Sequence, residues 1–208
     1  MYIKEIEILE NHRCFSKGQK FEFQQITFLV GDQGCGKSTL LKGLQEQSKF
    51  LKVVLTPEGI KGVKCFYFDT EKMNPRITDP NNYANMDGTN RGIGFGNALL
   101  SRFGSHGEIL VDFTVNALKK AENCIVFLDE PESGLSLRNQ YNLWDEIENA
   151  AKRNCQIVVS THSLVLINAV PAVLSLEHKE WMESSKFVEL MKEKKHEPKK
   201  HSQLPFFL

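Results

Sequence analysis

Residues 26–39, Ile-Thr-Phe-Leu-Val-Gly-Asp-Gln-Gly-Cys-Gly-Lys-Ser-Thr, decide how this chain folds. Residues 26–30 are apolar or β-branched, a composition that predicts a buried strand. Residues 31–38 follow the pattern Gly-x-x-x-x-Gly-Lys-Ser, and the apolar spacing after Thr39 predicts a helix. A glycine-rich loop between a strand and a helix brings backbone N–H groups and the positive end of the helix close to phosphate oxygens. The stretch therefore predicts a site for the phosphates of a nucleoside triphosphate.

Three side chains of this loop carry specific expectations. Lys37 can reach the β- and γ-phosphates, and the Ser38 hydroxyl can ligate Mg²⁺. Cys35 is either a small filler whose backbone matters or a redox-sensitive thiol, and the sequence leaves both open. The predicted nucleotide-binding residues of the loop are Gly31, Asp32, Gln33, Gly34, Cys35, Gly36, Lys37, Ser38 and Thr39.

The composition sets limits on the fold and on the environment. The chain has 208 residues, enough for one α/β domain with a full core. Lys plus Arg and Asp plus Glu both number 26, so the net charge argues neither for nor against nucleic acid. Five cysteines without metal-ligand spacing predict reduced, mostly buried thiols. With no secretory signal and no membrane-spanning run, we expect a cytoplasmic protein without direct membrane insertion.

Strands alternate with helices along most of the chain, which predicts a mostly parallel central sheet flanked by helices. Alternating residues before the phosphate loop predict a small antiparallel β subdomain at the N-terminus. Helices are expected at about 37–50, 137–153 and 164–168, and from about 179 to 195. Residues 74–96 contain prolines, glycines and asparagines with little apolar periodicity, which indicates a long loop.

Polar side chains follow the predicted central strands where ligands usually bind in α/β sheets. Asp129 follows a run of apolar residues, so its carboxylate is expected to hold Mg²⁺ together with Ser38. Glu130 is adjacent and is expected to act as general base toward the attacking water. His162 follows the next strand and can hydrogen-bond the γ-phosphate. The predicted catalytic residues are Lys37, Glu130 and His162.

The order of these motifs resembles an ABC-type ATPase, of the soluble branch that includes SMC-like and RecF-like heads. The resemblance rests on four stretches of the chain and on its opening residues 6–15. The four stretches are residues 31–39, Ser105-His106-Gly107-Glu108, residues 128–135 and Ser160-Thr161-His162-Ser163. The similarity extends over about residues 1–178, leaving 179–208 as a C-terminal helix and basic tail.

This resemblance implies ATP and Mg²⁺ as cofactors and a site completed by two protomers. In such proteins a signature helix, here residues 105–122, caps the γ-phosphate bound by the other subunit, and Ser105 and Gly107 match the capping residues. Arg13 matches a nucleotide-contacting basic position. Glu71 is the candidate for a further Mg²⁺ or water contact, since no glutamine occupies that region.

The chain also departs from its relatives in ways that bear on function. Residues 104–108 read Gly-Ser-His-Gly-Glu rather than the Leu-Ser-Gly-Gly-Gln of transporter subunits. No sustained heptads are present, so the long arm of SMC-like proteins is missing, and an irregular insert over 74–103 stands in its place.

The resemblance implies a stand-alone ATPase that closes a head-to-head homodimer on Mg-ATP and acts as a conformational switch for a protein partner. DNA repair and defence against phage or mobile elements are the expected settings, and binding of nucleic acid stays open. Two alternatives remain: the nucleotide-binding subunit of a membrane transporter, and an ATP-binding sensor module with negligible turnover.

Overall fold

The computed structural model describes residues 2–56, 63–69 and 114–193. The strands are β1 (Ile3–Ile8), β2 (Lys20–Glu22), β3 (Ile26–Val30), β4 (Leu51–Leu55), β5 (Lys64–Asp69), β6 (Cys124–Asp129), β7 (Gln156–Ser160), β8 (Ala172–Ser175) and β9 (Glu180–Glu183). The helices are α1 (Lys37–Gln45), α2 (described over residues 114–120), α3 (Leu137–Lys152), α4 (Leu164–Asn168) and α5 (Ser184–Glu193).

A six-stranded sheet in the order β5-β6-β7-β3-β8-β9 forms the centre of the fold. The pairs from β5 to β8 are parallel, and only β9 runs antiparallel to its neighbour. The predicted mostly parallel sheet with flanking helices is confirmed. Because β3, β7 and β6 are neighbours, the carboxyl ends of the three strands that precede the main motifs lie side by side.

A separate three-stranded sheet in the order β2-β1-β4 is antiparallel throughout, as predicted for the N-terminal part of the chain. Two side chains tie it to the central sheet. Gln156, at the start of β7, accepts the N–H of Ile3 and donates to the carbonyl of Ile3. The Trp181 indole N–H, on β9, donates to the carbonyl of Glu22 at 3.0 Å.

Both faces of the central sheet are covered. Along β6, Cys124, Val126 and Leu128 pack among the residues of α3 and α4, whereas Ile125 and Phe127 pack toward α1 and the antiparallel sheet. The strand is therefore buried at every position, which explains why its sequence shows no alternation of polar and apolar residues.

The helix after the phosphate loop is shorter than the predicted 37–50. It ends at Gln45, and Gln47 takes a left-handed φ of 50°. The Ser48 N–H then donates to the carbonyl of Gly43, a closing bond typical of helix C-termini. After this turn the chain reverses direction, which places the Phe50 ring against Gly43 and in a stack with His12. The helix therefore ends where the chain must turn to bury this ring.

The segment from Lys179 begins with a strand, not with the predicted helix. Glu180–Glu183 pairs with β8 as β9, and the helix α5 starts only at Ser184. Trp181 and Met182 point to opposite faces of the sheet. The same two apolar residues also fit a helical period, so sequence pattern alone favours the wrong element here.

The burial of the cysteines differs from expectation. All five are free thiols, but only Cys124 and Cys155 are buried, whereas Cys14 and Cys65 are exposed and Cys35 is half-buried. Cys14 lies in the turn between β1 and β2, and Cys65 lies on the edge strand β5, positions that the core does not cover.

Several predicted features lie outside the described residues. They are the insert at 74–103, the start of the helix predicted over 105–122, and the tail after residue 193.

Candidate functional site

The phosphate loop joins β3, in the middle of the central sheet, to the N-terminus of α1. Lys37 opens this helix, and its side chain folds back over the loop. Its ammonium donates to the carbonyls of Gly31 at 2.9 Å and Asp32 at 3.2 Å. Only 5% of Lys37 is exposed, so the loop holds a buried positive charge at the point where a phosphate would enter.

Gly36 shows why this loop needs glycine. Its φ of 104° lies in the region that L side chains rarely adopt, and an added Cβ would lie 2.3 Å from the Cys14 Sγ and 2.8 Å from the Phe15 ring. The Cys14 thiol itself donates to the carbonyl of Cys35 at 3.1 Å. The turn between β1 and β2 therefore packs directly beneath the loop, and its contacts hold the loop in shape.

The Asp129 carboxylate lies at the centre of a cluster of hydroxyl groups. Its Oδ1 accepts from Ser38 Oγ at 3.0 Å and from Ser160 Oγ at 2.5 Å. Its Oδ2 accepts from Tyr67 OH at 2.9 Å. Three different elements, α1, β5 and β7, thus donate to the last residue of β6.

Tyr67 is a residue of this site that sequence reasoning missed. Burial is the main cause that raises the pKa of Tyr67 well above its usual range, and the negative charge of Asp129 adds to it. The phenol therefore stays protonated and acts as a donor to Asp129. A signal was available, because Tyr67 precedes Asp69 by two residues on one strand and therefore shares its face.

The donor set fits Mg²⁺. Ser38 Oγ and Asp129 Oδ1 are hard oxygen donors 3.0 Å apart beside the phosphate loop. No group of three or more His, Cys, Asp or Glu side chains in the described parts of the chain is placed to hold a metal ion. A protein that offers one hydroxyl and one carboxylate leaves positions for phosphate oxygens and water, the usual arrangement for Mg²⁺ bound with a nucleotide.

Glu130 and His162 face each other across the ends of β6 and β7. The Nε2 of His162 lies 3.7 Å from the Oε1 of Glu130, and both side chains are almost half exposed. Glu130 has a left-handed φ of 49°, and its N–H donates to the carbonyl of Ser160 at 3.0 Å. The bend turns Glu130 away from the direction of the strand, so its carboxylate is open to a water molecule while Asp129 remains buried.

The remaining predicted residues fall into two groups. Arg13 is close to the loop, because its guanidinium donates to Thr39 Oγ1 at 3.0 Å. Asp32, Gln33 and Gly34 form the exposed tip of the loop, and burial raises the pKa of the Cys35 thiol although Lys37 opposes the shift. The signature residues Ser105 and Gly107 and the candidate metal contact Glu71 lie outside the described residues.

At the end of β5, where Glu71 is expected to follow, Asp69 pairs with Lys42 at 3.7 Å. Because β5 and β6 pair in register, Asp69 lies beside Asp129. A second carboxylate is thus present next to the candidate metal site.

Models of known protein families match two stretches of the chain. A family model described as "AAA ATPase domain" matches residues 1–90, and one described as "AAA domain, putative AbiEii toxin, Type IV TA system" matches residues 116–168. Among solved structures, the ATP-binding cassette MJ0796, described as a dimer in a post-hydrolysis state bound to ADP and Pi, superposes with a TM-score of 0.58. That match covers 88% of this chain and 98% of the other at 14% identity. The chain therefore has the fold of an ABC-type ATPase domain.

Further similar proteins are one solved structure and two curated sequence relatives. UvrA2 from Deinococcus radiodurans has a TM-score of 0.54 at 11% identity, over 84% of this chain and 35% of that protein. The zinc import ATP-binding protein ZnuC of Vibrio parahaemolyticus serotype O3:K6 is 28% identical over an alignment of 173 residues, and the match covers 76% of this chain and 65% of ZnuC. ABC transporter A family member 7 of Dictyostelium discoideum is 46% identical over 43 residues, or 21% of this chain and 5% of that protein.

The chain thus spans about two thirds or less of the length of the curated relatives that it matches. Within residues 2–56, 63–69 and 114–193, no helix combines the length and the apolar character that crossing a bilayer requires.

Proposed function

We propose that the chain binds Mg-ATP, hydrolyses it in a head-to-head homodimer and acts as a conformational switch for a protein partner. The observation that carries this proposal is the convergence of Lys37, Ser38, Asp129, Glu130 and His162 at one edge of the central sheet. Each of these groups has a distinct role in phosphoryl transfer to water.

Phosphate binding is assigned to Lys37 and to the backbone N–H groups of the loop, with Arg13 beside it. Ser38 and Asp129 would hold Mg²⁺, which would supply positive charge beside the phosphate oxygens. Tyr67 and Ser160 fix the orientation of Asp129 through hydrogen bonds. The protein therefore supplies mainly position and electrostatic stabilisation.

Proton transfer is assigned to Glu130. Its carboxylate is half exposed and accepts a proton from the attacking water as that water moves toward the γ-phosphorus. His162 donates a hydrogen bond to a γ-phosphate oxygen from a position 3.7 Å from Glu130. The proton-accepting and the phosphate-binding groups are thus adjacent to the same reacting atoms.

The second half of the site is assigned to another copy of the chain. Ser105 and Gly107 would cap the γ-phosphate in trans, and Glu71 would contact Mg²⁺ or water. Dimer closure then depends on ATP, and hydrolysis opens the dimer because the two states differ in affinity for the nucleotide.

The test is the Glu130→Gln variant in size-exclusion chromatography with light scattering, with and without Mg-ATP. We expect the variant to bind ATP, to lack turnover and to elute as a dimer only with Mg-ATP. The controls are Glu122→Gln, an exposed glutamate at the opposite end of β6, and Lys37→Ala, which should remain monomeric. A Glu130→Gln variant that stays monomeric at saturating Mg-ATP would contradict the dimer.

The proposed setting is defence against mobile elements or DNA repair, with a protein effector as partner. It is supported by the family description that names a type IV toxin–antitoxin system and matches residues 116–168. Purification of tagged Glu130→Gln from the native host with Mg-ATP, followed by mass spectrometry, identifies the partner. Salt-dependent binding of the purified chain to DNA or RNA would indicate direct contact with nucleic acid.

A second candidate function is the ATP-binding subunit of a transporter, which the 28% identity to a zinc import ATP-binding protein favours. Recovery of an integral membrane protein in the same purification would support this candidate. ATP binding with turnover at background level, even at high protein concentration, would instead indicate the sensor module.

A further inference from the structure

The Glu132 carboxylate connects the two loops that carry Glu130 and His162. Its Oε1 accepts from Thr161 Oγ1 at 2.6 Å, from the N–H of His162 at 2.6 Å and from the N–H of Ser163 at 3.1 Å. All three donors belong to the segment directly after β7. One oxygen atom from the loop after β6 therefore binds the whole backbone segment on which His162 is placed.

The other oxygen of this carboxylate is unusual. Among the described residues, Glu132 Oε2 is buried and has no hydrogen-bond partner. A buried polar atom without a partner costs free energy, so stability alone is a poor explanation for a glutamate at this position. A residue kept at such a cost is expected to serve the site.

A second set of hydrogen bonds links the same two segments through Gln140. Ser163 Oγ donates to Gln140 Oε1 at 2.6 Å, and Gln140 Nε2 donates to the carbonyl of Leu135 at 3.1 Å. Leu135 follows Glu132 in the same loop. The segment around His162 is thus bound at two points to the loop after β6, once through Glu132 and once through Gln140.

We propose that Glu132 is a positioning residue for ATP hydrolysis, which holds His162 at its place beside Glu130 through the backbone of residues 161–163. The proposal rests on the proposed function, since it assumes that Glu130 and His162 act on the same nucleotide. Glu132 itself contacts neither phosphate nor water in this role. Its loss should therefore slow the chemical step and leave nucleotide affinity intact.

The first experiment compares three full-length variants in steady-state ATPase assays and in ATP-binding titrations. Glu132→Ala should lower kcat by about 10- to 100-fold, the range that a small misplacement of a catalytic group produces, without a change in the ATP dissociation constant. Glu132→Gln keeps an oxygen that can accept the same three hydrogen bonds and should retain most of the activity. Asp145→Ala removes an exposed carboxylate on α3 and should behave as wild type.

A double-mutant cycle separates positioning from general structural support. If Glu132 acts through His162, the Glu132→Ala change should lower kcat in the wild type but have little further effect in His162→Ala. Equal losses in both backgrounds would overturn the proposal, and so would a Glu132→Ala variant as active as Asp145→Ala. If Glu132→Ala does not fold, Glu132→Asp replaces it, since the shorter side chain cannot reach all three donors.

A spectroscopic readout keeps the test independent of turnover. The imidazole ¹⁵N resonances of His162, assigned by their loss in His162→Ala, should shift when Glu130 is changed to glutamine. In Glu132→Ala the same change should shift them much less, because the ring is no longer held beside Glu130. If Glu130→Gln shifts the His162 resonances equally with and without Glu132→Ala, the positioning role is overturned. If the wild-type protein shows the shift but has no ATPase activity, only the proposed function is overturned.

Discussion

The two ends of the strand pair β6–β7 differ in how their polar groups are used. At the amino end, the Gln156 amide makes four hydrogen bonds, to the N–H groups of Tyr2 and Ile3 and to the carbonyls of Ile3 and Gln24. These bonds use every hydrogen-bonding position of the side chain. At the carboxyl end, Glu132 leaves a buried oxygen unpaired in the described part of the chain, and Glu130 and His162 are half exposed.

This difference separates the end that supports the fold from the end that we propose for chemistry. A fully satisfied buried amide stabilises the contact between the two sheets and has no capacity to bind anything else. A buried oxygen without a partner and a left-handed backbone both cost stability, and the carboxyl end carries them at Glu132 and Glu130. Substitutions at the carboxyl end should therefore change mainly kcat, and substitutions at the amino end should change mainly the free energy of unfolding.

The largest effect is expected for Glu130→Gln on hydrolysis. Loss of the proposed general base should lower kcat by about 10²- to 10⁴-fold, measured as phosphate release, while the free energy of unfolding stays close to that of the wild type. The matched variant Glu122→Gln, at the amino end of the same strand, should keep the wild-type kcat. Similar rates for both variants would show that the comparison between the two ends is wrong.

The next effect, on stability, is expected for Gln156→Leu. The substitution leaves up to four backbone groups without partners, three at the start of β1 and one in the turn between β2 and β3, which should lower the free energy of unfolding by about 3 kcal/mol or more in urea titrations. The exposed Gln45→Leu should cost less than about 0.5 kcal/mol. If folded Gln156→Leu also lost most of its kcat, the amino end would not be purely structural.

A smaller effect is expected for Tyr67→Phe at the carboxyl end. Removing one hydroxyl donor from Asp129 should raise the Mg²⁺ concentration needed for half-maximal activity by about tenfold, since hydrogen bonds to charged groups contribute about 1.5–3 kcal/mol. Tyr141→Phe, on an exposed tyrosine of α3, is the control. An identical Mg²⁺ dependence in the two variants would show that the Tyr67 hydroxyl does not contribute to Mg²⁺ binding.

The smallest effect concerns the buried thiols at the amino end, where Cys124 Sγ and Cys155 Sγ lie 3.4 Å apart. Burial, with the neighbouring Cys155 thiol, raises the pKa of Cys124 to about 12 from its ordinary value of 9.0. The folded state therefore holds this proton more strongly than the unfolded state, so the free energy of unfolding should fall as pH rises above 9.

The measurement is urea unfolding at several values between pH 8 and pH 11. Cys124→Ala should lose less stability over this interval than the wild type, whereas Cys14→Ala, which changes an exposed thiol, should follow the wild type. Parallel curves for all three proteins would show that Cys124 titrates normally.

The sequence was informative where local patterns dominate. The strand, loop and start of the helix at residues 26–39 and the helix at 164–168 follow from the hydrophobic pattern and the placement of glycines. The mostly parallel orientation of the central strands also followed, because strands that alternate with helices favour right-handed parallel crossovers.

The errors and omissions arise from contacts between distant residues. Gln156 is 153 positions from Ile3, so no local pattern indicates that pair. Tyr67 shares a strand face with Asp69, but this pattern does not reveal its partner Asp129, which is 62 positions away. The strand β9 forms because β8 offers it an edge, although Trp181 and Met182 also suit a helix. Tertiary pairing decides such cases.

The placement of the two tryptophans gives each layer of the fold its own optical probe. Trp144 packs against Phe28 on the face covered by α3, with ring centroids 6.0 Å apart. Trp181 lies on the opposite face and is hydrogen-bonded to the antiparallel sheet. Replacing either one by phenylalanine leaves a single emitter, since the chain contains two tryptophans in total. Fluorescence during unfolding then reports separately whether the antiparallel sheet detaches before the helical layer loosens.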